Sequence, residues 1–161
     1  MSSDVHLAIK NMLTAAGIPY RLVEHEETRT SDDSARARGE ELRVGGKALV
    51  VKADDRFCLA VLSADRKLDS RALADVLGAR KLRFATPEEL LNLTGLVPGS
   101  VPPFGWPILP FDLVVDRSVL RNERIAFNAG SLRTSIVMGT NEYVKICGGK
   151  FEDFSKETGG S

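Results

Sequence analysis

Residues 93 to 105 read Leu-Thr-Gly-Leu-Val-Pro-Gly-Ser-Val-Pro-Pro-Phe-Gly. The run excludes helix interior, because proline lacks an N–H and clashes with the preceding turn. It excludes a central strand, since the adjacent Pro102 and Pro103 donate nothing to a ladder. Its apolar residues Leu93, Leu96, Val97, Val101 and Phe104, with Trp106 behind them, are out of place in a polar, flexible linker. What remains is a proline-stiffened loop folded against the body of the protein. Gly95, Gly99 and Gly105 allow backbone N–H groups to approach a ligand closely. The loop is therefore expected to wall a binding site.

The rest of the chain has to supply a body for it. A length of 161 residues suits one domain with an adequate core, here expected over residues 1–155 with 156–161 as a disordered tail. Hydrophobic residues make up 43% and charged residues 27%, an ordinary globular composition. Lys plus Arg and Asp plus Glu each number 22. A formal charge of zero argues against a protein that coats nucleic acid through its phosphates, and no recognition-helix motif for DNA is present. Two cysteines, Cys58 and Cys147, are too few for a disulfide framework and read as reduced, buried thiols of a cytoplasmic protein. The N-terminus carries no apolar signal region, and no apolar run reaches the length of a membrane span.

In order, Asp4 caps a helix to Ala16 with Val5, Ile9, Met12, Leu13 and Ala16 on one face and Gly17 as its stop. Ile18 to Val23 reads as a strand, near a sheet edge because of Pro19. Ser31-Asp32-Asp33 caps a short helix ended by Gly39. Ala48 to Lys52 and Phe57 to Ser63 form a hairpin of two nearly continuous apolar strands about Asp54-Asp55, so both faces of its sheet should be covered. A helix follows over Ser70 to Leu77, then a strand over Lys81 to Ala85. Thr86-Pro87-Glu88-Glu89 is a capping box with proline at the first helical position, and its helix runs into the proline loop at Thr94. Strands over Leu113–Asp116, Arg124–Asn128 and Arg133–Met138 and a last helix capped by Thr140 or Asn141 complete the chain. The order does not alternate regularly, which points to an α+β domain with a curved mixed sheet.

Single residues say less. His25, at a strand end, reads as surface or hydrogen-bonded structure, on a loop with Thr28 that borders a pocket. His6 reads as solvated. Lys47, after Gly45-Gly46, is by itself a solvated strand-end charge, and the scattered arginines, Arg36, Arg38 and Arg43 among them, read as a mixed surface. No His, Cys or carboxylate spacing suggests a metal.

Taken together and in order, Lys47 opening an apolar strand, Leu68-Asp69 before a helix ending Leu77-Gly78-Ala79, the Gly95-to-Gly105 loop, and Gly130-Ser131 between strands resemble the YbaK/ProX family of aminoacyl-tRNA deacylases. That family is similar to the editing domain of bacterial prolyl-tRNA synthetase. The resemblance spans about Val5 to Cys147. It implies a mixed, strongly curved, barrel-like β-sheet flanked by helices, and a trans-editing hydrolase, without metal or organic cofactor, that cleaves the ester of a mischarged tRNA at its 3′ acceptor end. The usual substrates would be alanyl or cysteinyl esters on tRNA-Pro, with prolyl-tRNA synthetase as an associated partner. It assigns catalysis to Lys47, the loop backbone at Gly99 and a positioning hydroxyl at Ser131. Substrate binding falls to Ser100, Val101, Pro102, Phe104, Gly105, Gly130, His25 and Thr28. The alanyl branch often has Asn after the lysine, where this chain has Ala48, so the amino acid stays open. An activated ester needs positioning and oxyanion stabilisation more than a strong nucleophile, which fits the lack of a nucleophile elbow. A non-catalytic module binding a nucleotide, an amino acid or tRNA in the same pocket is the competing reading.

Overall fold

Apolar spacing dictates the first element. In the computed structural model, which describes residues 2–28 and 30–158, helix α1 (Ser2–Ala15) buries Val5, Ile9 and Leu13, one residue per turn. Gly17, at φ 69°, ends it. Strand β1 (Tyr20–Glu24) follows, then α2 (Ser31–Arg38). The cap of α2 is Thr30 rather than the expected Ser31-Asp32-Asp33: its hydroxyl accepts from the Asp33 N–H at 3.1 Å, which places those three residues inside the first turn.

Strands β2 (Gly46–Ala53) and β3 (Arg56–Ser63) form the expected hairpin, with Gly46 opposite Ser63 and Ala53 opposite Arg56. Asp54 turns the chain at φ 57°, and its carboxylate accepts from the Arg80 and Lys81 N–H groups. Alternate residues serve opposite faces. Val50, Leu59 and Val61 enter the larger core, whereas Val51, Ala53, Cys58, Ala60 and Leu62 enter a second one. Strand β4 (Arg66–Leu68) leads to α3 (Ser70–Leu77), capped by Asp69, and β5 (Leu82–Phe84) leads to α4 (Pro87–Thr94). The capping box of α4 is present in full, and Gly95, at φ 76°, closes the helix. Then come β6 (Asp112–Asp116), a 3-10 turn at Arg117–Arg121, β7 (Arg124–Asn128), β8 (Thr134–Gly139) and α5 (Thr140–Cys147). Gly139 takes the cap position of α5 with no side-chain hydrogen bond. Neither Thr140 nor Asn141 is the cap, because both already lie in the helix.

The chain ends in β9 (Lys150–Glu152) and β10 (Ser155–Glu157). The expected tail at 156–161 is thus corrected at its start. Lys156 and Glu157 pair antiparallel with Lys67 and Arg66, and buried Phe154 and Asp116 anchor the approach. Residues 159–161 lie outside the described residues.

A five-stranded mixed sheet has the order β5-β2-β3-β6-β9, with β3–β6 and β6–β9 parallel. An antiparallel sheet β1-β8-β7 and a ribbon β10-β4 complete the set. The mixed α+β architecture is as expected, and β1 is indeed an edge strand. The strands do not close a barrel: among the described residues a single bridge, Gly45 to Ala126, joins the two larger sheets. Pairing cannot spread there because a 3-10 turn (Leu42–Val44) precedes Gly45. The cleft described next opens beside that seam.

Candidate active site

Lys47 is the second residue of β2, half-buried, with its Nζ donating to the Arg66 carbonyl at 2.9 Å. Burial lowers its pKa from the ordinary lysine value, and Asp65 opposes the shift. A cleft of about 210 Å³ opens beside it. Gly45 and Gly46 form part of its rim for steric reasons, since a Cβ at Gly46 would stand 2.7 Å from Ile125 Cδ1. Thr28, Thr30, Ser31 and Ser34 contribute hydroxyl-bearing residues from the start of α2. Gly99 and Val101 bring in the proline loop. Among the described residues the lining holds two cations, Lys47 and Arg38, and no carboxylate.

The loop is oriented by a buried polar network. Asn128 Nδ2 donates to the Gly99 carbonyl at 2.7 Å, while its Oδ1 accepts from Arg38 Nη2 at 3.1 Å and from Ser135 Oγ at 3.0 Å. Arg38 Nε also donates to Ser135 Oγ, at 2.9 Å. Desolvation pulls the Arg38 pKa down to about 10, partly offset by Glu40. Gly99 itself sits at φ 89°, a conformation that glycine adopts without strain. The Ser100 N–H and hydroxyl both donate to the Val97 carbonyl. The N–H groups of Gly99 and Val101 have no hydrogen-bond partner among the described residues.

The residues expected here on sequence grounds divide accordingly. Lys47, Gly99, Val101 and Thr28 meet at the cleft. Ser100, Gly130 and Ser131 line a separate depression on the other side of the loop, with Val97 and Arg133. Ser131 is thus removed from Lys47; its hydroxyl accepts from the Arg133 N–H within its own turn. Gly130 N–H pins the Ser100 carbonyl at 3.0 Å, so the pair orders the loop from behind. Phe104 is committed to the core, edge-on to Phe127 and Tyr143 at 5.4 Å. Tyr143 donates to the Pro103 carbonyl, Pro102 is buried, and Gly105 lies tight against Phe111 O, so this end of the loop anchors it away from the Lys47 cleft, and Gly105 borders a second depression with Trp106 and Phe111. His25 is outside the lining, with its Nε2 2.8 Å from Ser135 Oγ, one residue behind the network. His6 is half-buried, its Nδ1 3.2 Å from the Ala129 carbonyl, and is not simply solvated.

Arg38 and Asn128 were missed as site residues. Helix spacing carried a signal for Arg38, because Ser34, Ala35 and Arg38 share the buried face of α2. No local pattern marked Asn128. Among the described residues no cluster of His, Cys, Asp or Glu could hold a metal, and no helix is long and apolar enough to cross a membrane.

Comparison with known proteins agrees with this fold. The aminoacyl-tRNA editing domain matches residues 25–146, most of the chain. The chain belongs to the aminoacyl-tRNA editing family. It is 34% identical over 160 residues to the multifunctional Ser/Thr-tRNA deacylase ProXp-y of Escherichia coli K12, covering 96% of this chain and 95% of that one. The prolyl-tRNA editing protein ProX of Acetoanaerobium sticklandii is 25% identical over 151 residues, covering 91% and 92%. A crystal structure of a candidate trans-editing enzyme for prolyl-tRNA synthetase superposes with a TM-score of 0.82 at 27% identity, covering 94% of this chain and 97% of that one.

Proposed function

We propose that this editing-family protein is a trans-acting deacylase that hydrolyses the ester joining a small, wrongly attached amino acid to the 3′ end of a tRNA in the cytoplasm. The observation that carries the reading is that Gly99 and Val101, whose N–H groups have no partner among the described residues, border the cleft of Lys47, where the described residues bring no carboxylate. Attack on the ester carbonyl by water, or by a hydroxyl of the substrate, builds negative charge on the carbonyl oxygen. On this reading the loop N–H groups receive that charge, and one such donor contributes roughly 10²–10³ in rate. The carbon–oxygen ester bond then breaks, and the terminal ribose oxygen leaves with a proton. Lys47 holds the ribose, the terminal phosphate or the carbonyl by charge, and its hydrogen bond to the Arg66 carbonyl keeps the side chain directed.

Alanyl and cysteinyl esters on tRNA-Pro fit the size of such a site, and a protein working beside prolyl-tRNA synthetase would meet them. The hydroxyl-bearing wall at Thr28, Thr30, Ser31 and Ser34 favours seryl and threonyl groups. So does the 34% identity to a Ser/Thr-tRNA deacylase. The deciding measurement is a panel of Ala-, Cys-, Ser- and Thr-charged tRNAs. The protein should release amino acid from at least one, and Lys47→Ala should lose that activity while melting at the parental temperature. Tight tRNA binding with no release from any substrate would replace the deacylase with a binding module.

A further inference from the structure

We infer that Arg38 selects the acyl group: its Nη1 donates to the side-chain hydroxyl of a seryl or threonyl substrate, so that an alanyl ester is disfavoured. The inference rests on the deacylase reading and names the chemistry its cleft prefers.

Arg38 is only 8% exposed. A cation buried to that depth ordinarily has a carboxylate hydrogen-bonded to it. Here the guanidinium partners are neutral, Ser135 through Nε and Asn128 through Nη2. Glu40, the acid that acts on Arg38 through space, is instead held by Arg21 and Arg124, each at 2.8 Å. Nη1 has no partner among the described residues. It stands 3.4 Å from the point where Gly45, a rim residue of the cleft, would carry a Cβ. A guanidinium only donates, so its complement in the cleft is an acceptor.

The surroundings narrow that acceptor. A carboxylate is best bound by two parallel N–H groups. Nε and one Nη2 N–H are engaged, which leaves the end-on edge of Nη1 and the second Nη2 N–H, so the choice of a hydroxyl over a carboxylate rests on the wall beside it. That wall carries hydroxyls, and Ser34 Oγ donates to Thr28 Oγ1 at 2.9 Å. A methyl group in place of the hydroxyl would desolvate Nη1 and offer it nothing. A site built to bond a substrate hydroxyl rejects the analogue lacking it far more strongly than an apolar pocket rejects a size change.

The test compares kcat/KM for Ser-, Thr-, Ala- and Asp-tRNA in the parent, Arg38→Met and Arg38→Lys. The parent should prefer Ser over Ala. In Arg38→Met the Ser-to-Ala ratio should fall about 10- to 100-fold, the effect of losing one hydrogen bond to a charged donor. In Arg38→Lys it should fall by a smaller factor, because an ammonium cannot hold Ser135 and Asn128 and still reach the cleft. A parent that cleaves none of the four overturns the deacylase reading itself. An active parent whose ratio is unchanged in the variants, whatever the absolute rates, overturns the role of Arg38 alone, as does a parental preference for Asp-tRNA. Should Arg38→Met fail to fold, a parental ratio in Arg38→Lys overturns it.

Discussion

Asn128 ties the proline loop to the rest of the cleft, and replacing it separates stability from chemistry. Its side chain makes one hydrogen bond to the Gly99 carbonyl, at 2.7 Å, and receives two, from Arg38 at 3.1 Å and Ser135 at 3.0 Å. Two of these are neutral and one has a charged donor. At about 0.5–1.5 kcal/mol for each neutral bond and 1.5–3 for the charged one, Asn128→Ala removes about 2.5–6 kcal/mol. The cleft is open, so water recovers part of that, and a loss of about 2–4 kcal/mol is expected against a total stability of about 5–15. Urea unfolding measures it as a lowered midpoint at constant slope. Asn128→Asp is the informative partner. It keeps an acceptor for Arg38 and Ser135 and gives Arg38 a counter-charge, yet it sets a carboxylate oxygen against the Gly99 carbonyl. Stability should stay near parental, while deacylation falls about tenfold or more as the loop donors lose alignment. A cost below about 1 kcal/mol for Asn128→Ala, or parental kcat/KM in Asn128→Asp, would refute the reasoning.

Two further outcomes follow from the scaffold. Gly105→Ala would push a Cβ into Phe111 O and to 3.3 Å from Leu113 Cβ, both fixed by the core. Calorimetry should show a lowered Tm equivalent to about 1–3 kcal/mol of overpacking, and an unchanged Tm would mean that the loop anchor is looser than its contacts indicate. At α4, the Glu89 carboxyl is held at about 2, first by its hydrogen bonds from Arg83 and then by the backbone at Thr86. The folded pKa lies below the unfolded value of 4.5, so the stabilisation is present above 4.5 and is lost as pH falls toward 2. The Tm gap between the parent and Glu89→Gln should therefore be open at neutral pH and close across that interval; a gap independent of pH would contradict the charged cap.

Local signals were legible wherever local physics decided the outcome. The capping box at Thr86, the hairpin about Asp54 and the stops at Gly17, Gly39 and Gly78 need only neighbouring residues, and each lies where spacing placed it. Sheet partition was not legible. Whether β7 and β8 join the β2–β3 sheet depends on a one-residue bridge between positions 45 and 126, and periodicity carries no such long-range register. The site divided along the same line. Lys47 and Gly99 could be matched to the family pattern, but the pattern could not tell which face of a buried loop each residue serves. Hence Phe104 and Gly105, a few residues past Val101, lie outside the Lys47 cleft and hold the loop to the core. Arg38 and Asn128 remained hidden because they lie 90 residues apart and acquire meaning only through each other.

The β2–β3 hairpin has one more consequence. Lys47 sits six residues before Ala53, where the strand enters the turn at Asp54, about 20 Å away along an extended strand. Side chains alternate faces, so the lysine is addressed by parity as well as by distance. A single residue inserted at Asp54-Asp55 that slipped the pairing by one would leave every cleft residue in the sequence untouched, yet turn position 47 toward the opposite core. If Lys47 holds the substrate as proposed, a miscount at this remote turn would take it from the cleft with no cleft residue changed.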